Sequence, residues 1–150
     1  MQLQPDTWIC EDSKKHAVMR VMFDARDIAS ARQVADEKAG HINVHNPGGI
    51  QRSPDVIRSR IIAGKLADSA VAELLQTHIK KAGLEQGHAV VEYDKNRTDG
   101  FQNPDPFDLE LRKPNGLTET VEVRSSFCYL LASPNKIIQK LSVFDWYTSA

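Results

Sequence analysis

The chain of 150 residues contains no uninterrupted apolar run approaching the length that crosses a bilayer. Its start, MQLQPDTWICEDSKKH, lacks the basic-then-apolar order of a signal peptide. A soluble, cytoplasmic protein without a membrane partner is therefore expected. Cysteine is scarce: Cys10 and Cys128 lie far apart and make no CxxC or Cys/His cluster. Two ordinary thiols in a reducing compartment are expected, not a zinc site. Net positive charge is also missing, the formal balance being -1. Binding nucleic acid through overall charge is excluded, and only a local basic strip beside an acidic pocket remains open.

What is present suits one globular domain, with 41% hydrophobic and 26% charged residues. After a polar start, the apolar run His16 to Asp24 predicts a strand. ARDIASARQVADEKAG predicts a helix with Ile28, Ala31, Val34 and Ala35 as its stripe and Gly40 as its stop. HINVHNPGGI then reads as an extended piece and a turn carrying Pro47, Gly48 and Gly49. The first third reads as a strand–helix–strand appendage.

The most regular segment begins at Ser53 or Asp55 as cap and runs as a long helix to Gly83. On a 3.6 period Leu66, Ala67, Ala70, Val71, Leu74 and His78 share one face, as in an amphipathic helix docked on a flat partner. Strand signals come next at His88 to Tyr93, Pro106 to Lys113 and Thr118 to Ser125, the last two joined by the tight PNG as a hairpin. A short helix capped by Ser133, with Pro134 and an Ile137, Ile138, Leu141 stripe, precedes a closing strand, SVFDWYTS.

Strand alternation puts Phe107, Leu109 and Leu111 on one face and Asp108, Glu110 and Arg112 on the other. Likewise Val121 and Val123 face the core while Glu122 and Arg124 share the polar face. In the simplest hairpin register Asp108, Glu122 and Arg124 meet. Close carboxylates repel, and a bound cation or a raised pKa relieves them; an oxygen-rich site suits Mg²⁺ or Mn²⁺, which activate water and stabilise phosphate charge. The same alternation is equally what a solvated hairpin face with cross-strand ion pairs presents.

The ordered set GKLADSAVAELL on a helix, then PFDLEL, then VEVRS, on a helix–strand–strand–strand–helix–strand frame, resembles the PD-(D/E)XK nuclease superfamily. The resemblance covers residues 55–150. It implies an α/β protein with a restriction-endonuclease-like core, αβββαβ, whose central mixed sheet is flanked by helices, and an N-terminal strand–helix appendage over residues 1–54.

Residue by residue, the resemblance makes Asp108 the first metal-binding acid, although Phe107 and not proline precedes it. Glu122 is the second acid, the Val123 carbonyl a backbone ligand, and Asp68 the helix carboxylate, preferred over Glu73 for its spacing after Gly64. Arg124 departs from the family's lysine. It stays protonated and is no general base, but its planar fork binds phosphate through two hydrogen bonds.

A basic strip of Arg52, Arg58, Arg60 and Lys65, with Lys95 and Arg97 in the following loop, is placed to contact phosphates. Any one of them reads equally as a solvated helix end. Phe101 in NRTDGFQNPD is either a stacking wedge or tucked against the domain. His41 and His45 bracket a strand-like INV and, like His78, are bystanders. The implied activity is Mg²⁺-dependent cleavage of DNA in restriction, defence or repair, with a homodimer serving duplex cutting. A non-catalytic nucleic-acid-binding or assembly module on the same fold, and an unrelated α/β interaction domain, are the other readings.

Overall fold

A computed structural model describes residues 1–9, 13–42 and 52–125. Cys10, His45, the Pro47–Gly49 turn, Cys128 and the expected helix and strand after Ser133 lie outside the described residues. Those that are described form a mixed α/β chain of helices and two small antiparallel sheets, in two compact units. Among them no helix is long and apolar enough to cross a membrane.

One unit holds a hairpin of β1 (Gln2–Ile9) and β2 (Lys15–Met22), antiparallel from Gln2 opposite Met22 to Ile9 opposite Lys15. β2 is the expected strand. β1 corrects the expectation of a polar start, and the signal failed there because Pro5 breaks the alternation. Proline is confined to edge strands, and in a two-stranded sheet both strands are edges. Arg20 pairs with Asp6 across the hairpin.

The other unit comprises Met1 and the chain from Phe23 to Ser125; the division expected at residue 54 lies inside it. Helix α1 (Ala25–Ala39) starts at a capping box, in which Asp24 Oδ1 accepts from the Arg26 and Asp27 amides and Asp27 Oδ2 accepts from the Asp24 amide. Helix α2 (Pro54–Lys81) starts with Ser53 Oγ accepting from Val56 N–H and Pro54 in the first turn. It ends at Gly83, whose φ of +68° is the left-handed conformation glycine adopts at no cost.

α1 packs on α2, which also packs on the sheet. Two neighbours on different sides bury a broader stripe of α2 than one flat partner would. Ile57, Asp68 and Ala72 are its buried residues, Leu66 to Leu74 on the expected face are half-buried, and His78 is exposed. His78 Nδ1 lies 2.8 Å from the Leu74 carbonyl oxygen.

The second sheet has the order β3 (Ala89–Glu92), β4 (Leu109–Arg112), β5 (Thr118–Val121), antiparallel throughout. A single helical turn, α3 (Tyr93–Asn96), comes directly after β3. The β4–β5 hairpin closes as the PNG signal predicts, with Lys113 N–H donating to the Leu117 carbonyl at 2.9 Å and Gly116 at φ +77°. Gly87 is required for a different reason: a Cβ there would lie 2.8 Å from Pro114 Cγ. Leu109 is fully buried and, with Ala31, Ala35, Ile57 and Ala72, forms the apolar core.

Candidate carboxylate site

Asp108 stands one residue before β4, and both strand neighbours hold it. The Tyr93 N–H donates to its carbonyl at 3.0 Å, while its Oδ2 accepts from the Val123 N–H at 2.7 Å. Leu109 pairs with Val121 at the end of the ladder, so Asp108 and Glu122 each stand one residue beyond it. Past β5 the chain leaves the ladder, and the side chain of Asp108 takes the place of a strand carbonyl in satisfying Val123. A buried amide left without a partner would cost about 1–3 kcal/mol.

The chain after β5 reaches α2. A Cβ on Gly64 would lie 3.9 Å from Ser125 Oγ, an ordinary contact. One helical turn later on α2, Asp68 is buried, with its side chain 5% exposed. Burial raises its pKa above the ordinary value, and the neighbouring charges of Asp108 and Asp94 push the same way against the Lys65 ammonium. The preferred helix carboxylate and the strand aspartate are thus close enough to repel. Glu73, the competing choice, is exposed.

Glu122 does not join them. It is 54% exposed and paired with Arg124 at 3.2 Å, the arginine itself being 83% exposed. Among the described residues no group of three or more His, Cys, Asp or Glu side chains is gathered to hold a metal ion. Asp68 and Asp108, whose charges act on each other, are hard oxygen ligands from two elements. That set fits a magnesium-type cation, which is usually held by one or two carboxylates together with waters and substrate phosphates.

Beside this pair lies a charge network absent from the sequence expectations. Asp94 on α3 is its hub, its side chain 3% exposed. Oδ2 takes the Lys38 ammonium at 3.2 Å and the Lys65 ammonium at 2.5 Å, and Oδ1 takes Arg97 Nη1 at 3.0 Å. Lys65 also pairs with Asp68, Lys38 with Asp105, and Arg97 with Asp105. Burial alone would raise Asp94, but Lys65 and Lys38 outweigh it and its pKa falls below the ordinary value.

Arg97 organises the loop after α3. Its Nε and Nη2 donate to the two oxygens of Asp99 at 2.6 and 3.0 Å, and Nη2 donates to the Asn103 carbonyl at 2.7 Å. The guanidinium lies 4.5 Å from the Phe101 ring centroid and 5.2 Å from that of Tyr93. Phe101 is half-buried, at φ +63°. It is therefore tucked under Arg97, not extended as a wedge.

Four of the six cations of the basic strip already have acidic partners. Lys65 and Arg97 are buried in the network, Arg58 pairs with Asp36 at 2.6 Å, and Lys95 pairs with Glu92. The one sequence signal for the network is the spacing of three aspartates, Asp94, Asp99 and Asp105, around Arg97. Comparisons with protein-family models, with curated proteins and with solved structures find no match for this chain.

Proposed function

We propose that the chain is a divalent-metal-dependent nuclease domain of the restriction-endonuclease-like type, with Asp68 and Asp108 as its central carboxylates and DNA as its substrate. The observation that carries this reading is a buried helix carboxylate, Asp68, whose pKa is raised by its burial and in part by the charge of Asp108, an aspartate anchored one residue before β4. Two acids whose charges act on each other favour a hard cation.

When bound, Mg²⁺ or Mn²⁺ supplies an activated water and neutralises the charge that grows on the phosphate. The remaining work belongs to the chain. The Val123 amide fixes the orientation of Asp108. Arg124, exposed two residues after Glu122, would bind phosphate oxygens through its fork and remain a cation throughout. Glu122 reaches the cation as a third acid only by leaving Arg124, so phosphate binding by Arg124 and recruitment of Glu122 favour one another.

A second reading is favoured by one observation, the Glu122–Arg124 pair itself. If that pair persists with substrate, the domain binds nucleic acid without cutting it. The test is incubation with plasmid, short duplex, single-stranded DNA and RNA in Mg²⁺, Mn²⁺ or EDTA. Metal-dependent cutting that Asp68→Asn or Asp108→Asn abolishes supports the nuclease. Salt-sensitive binding without cutting supports the second reading, and cutting that neither substitution changes contradicts the site.

A further inference from the structure

The ammonium of Lys65 is shared by two acids on different elements, Asp68 on α2 and Asp94 on α3. All three side chains are largely out of solvent, at 13% exposure for the lysine, 5% for Asp68 and 3% for Asp94. Asp94 also holds Lys38 and Arg97. Asp68 has Lys65 as its one ion-pair partner among the described residues. The lysine is thus the charge that balances Asp68, and it has a second carboxylate already within reach.

We infer that Lys65 is a built-in competitor for the divalent cation: it neutralises Asp68 in the cation-free protein and shifts its ion pairing to Asp94 when the cation binds. This rests on the reading of Asp68 and Asp108 as the cation's carboxylates. Two positive charges at one buried carboxylate repel, so cation binding and the Lys65–Asp68 pair oppose each other through a coupling free energy. Asp94 makes the exchange feasible because Lys65 leaves Asp68 without becoming an unpaired buried charge. Lys65 is accordingly a positioning residue that sets the cation concentration at which the site fills.

The test is calorimetric titration of the full chain with MnCl₂, independent of any cleavage assay. Lys65→Met is expected to bind Mn²⁺ about tenfold more tightly than wild type, within the range of ordinary site-to-site couplings. Lys65→Gln is the second variant should the methionine impair folding, with the same expectation. Lys38→Met removes the same charge from the network without touching Asp68 and is expected to change affinity much less. Lys65→Arg keeps a cation and is expected to bind no more tightly than wild type.

If Lys38→Met tightens binding as much as Lys65→Met, the effect is one of general charge and the inference fails. It also fails if both Lys65 variants bind with wild-type affinity while Asp68→Asn abolishes binding, an outcome that leaves the carboxylate reading intact. Unchanged binding in Asp68→Asn and Asp108→Asn, or no binding by wild type and Lys65→Met alike, overturns the inference and the carboxylate reading together.

Discussion

The backbone N–H of Val123 donates to Oδ2 of Asp108 across 2.7 Å. The aspartate at the start of β4 therefore also fixes where the chain runs after β5. Its two roles separate by substitution. Asp108→Asn keeps an oxygen for the amide, and stability is expected within about 1 kcal/mol of wild type. Metal-dependent cleavage is expected to fall by roughly two orders of magnitude or more. Asp108→Ala removes the acceptor as well and is expected to add about 1–3 kcal/mol of destabilisation. Urea denaturation alongside the cleavage assay distinguishes these outcomes.

Asp94 accepts three cations from three parts of the chain, Lys38 on α1, Lys65 on α2 and Arg97 beyond α3. Replacing it with asparagine leaves largely buried charges without their shared anion. Breaking a buried ion pair on one side costs about 3–5 kcal/mol, and a loss of that order is expected for Asp94→Asn in urea midpoint experiments. A change within experimental error would mean that the network does not hold the helices and the loop together.

Acid should act on the same network. Asp94 is held below its ordinary value of 3.8 because Lys65 and Lys38 outweigh its burial, and Asp99 is held below it by Arg97 and then Asn103. A depressed carboxylate stabilises the fold above its unfolded pKa and loses that contribution as pH falls through the folded value. Asp68 has the opposite sign: its raised pKa favours the fold at low pH, and that contribution is lost as pH rises through its folded value. Asp24 and Asp36 are depressed as well, by the N-terminal ammonium and by Arg58, and four depressed acids against one raised acid predict a net loss of stability below about pH 4. Asp94→Asn should show a shallower acid limb than wild type in urea midpoints taken from neutral to about pH 3.

Local chemistry made much of the fold legible. Ser53 and Gly83 mark helix ends, and Pro114, Asn115 and Gly116 mark the hairpin, because each acts on neighbours a few residues away. The charge network was not legible, because Lys38 meets Asp94 and Asp105 across 56 and 67 residues. A linear pattern states which residues share a face but not which opposite charges fold onto each other. Lys65 and Arg97 consequently read as phosphate contacts when they are internal cations. At the site, the order of the motifs singled out Asp68 and Asp108, whose charges act on each other, whereas the pairing of Glu122 with Arg124 depends on the path the chain takes once it leaves the β5 ladder.

Arg124 is exposed and paired only with Glu122 in the described residues, so its substitution is expected to leave the melting temperature unchanged. Arg124→Ala should weaken binding to duplex DNA and flatten its salt dependence by about one phosphate contact. Arg124→Lys should retain most binding and lose the bidentate component. Binding isotherms at several salt concentrations check both, and an unaltered salt slope in Arg124→Ala would remove Arg124 from the phosphate contact.

The most direct test of the central claim is a double-mutant cycle on cleavage rate in Mg²⁺, comparing wild type, Asp68→Asn, Asp108→Asn and the doubly substituted protein. If the two carboxylates serve one cation, either single change removes nearly all the activity and the second adds little, a strongly non-additive cycle. Losses that multiply, or a single variant cutting at the wild-type rate, would contradict a shared site.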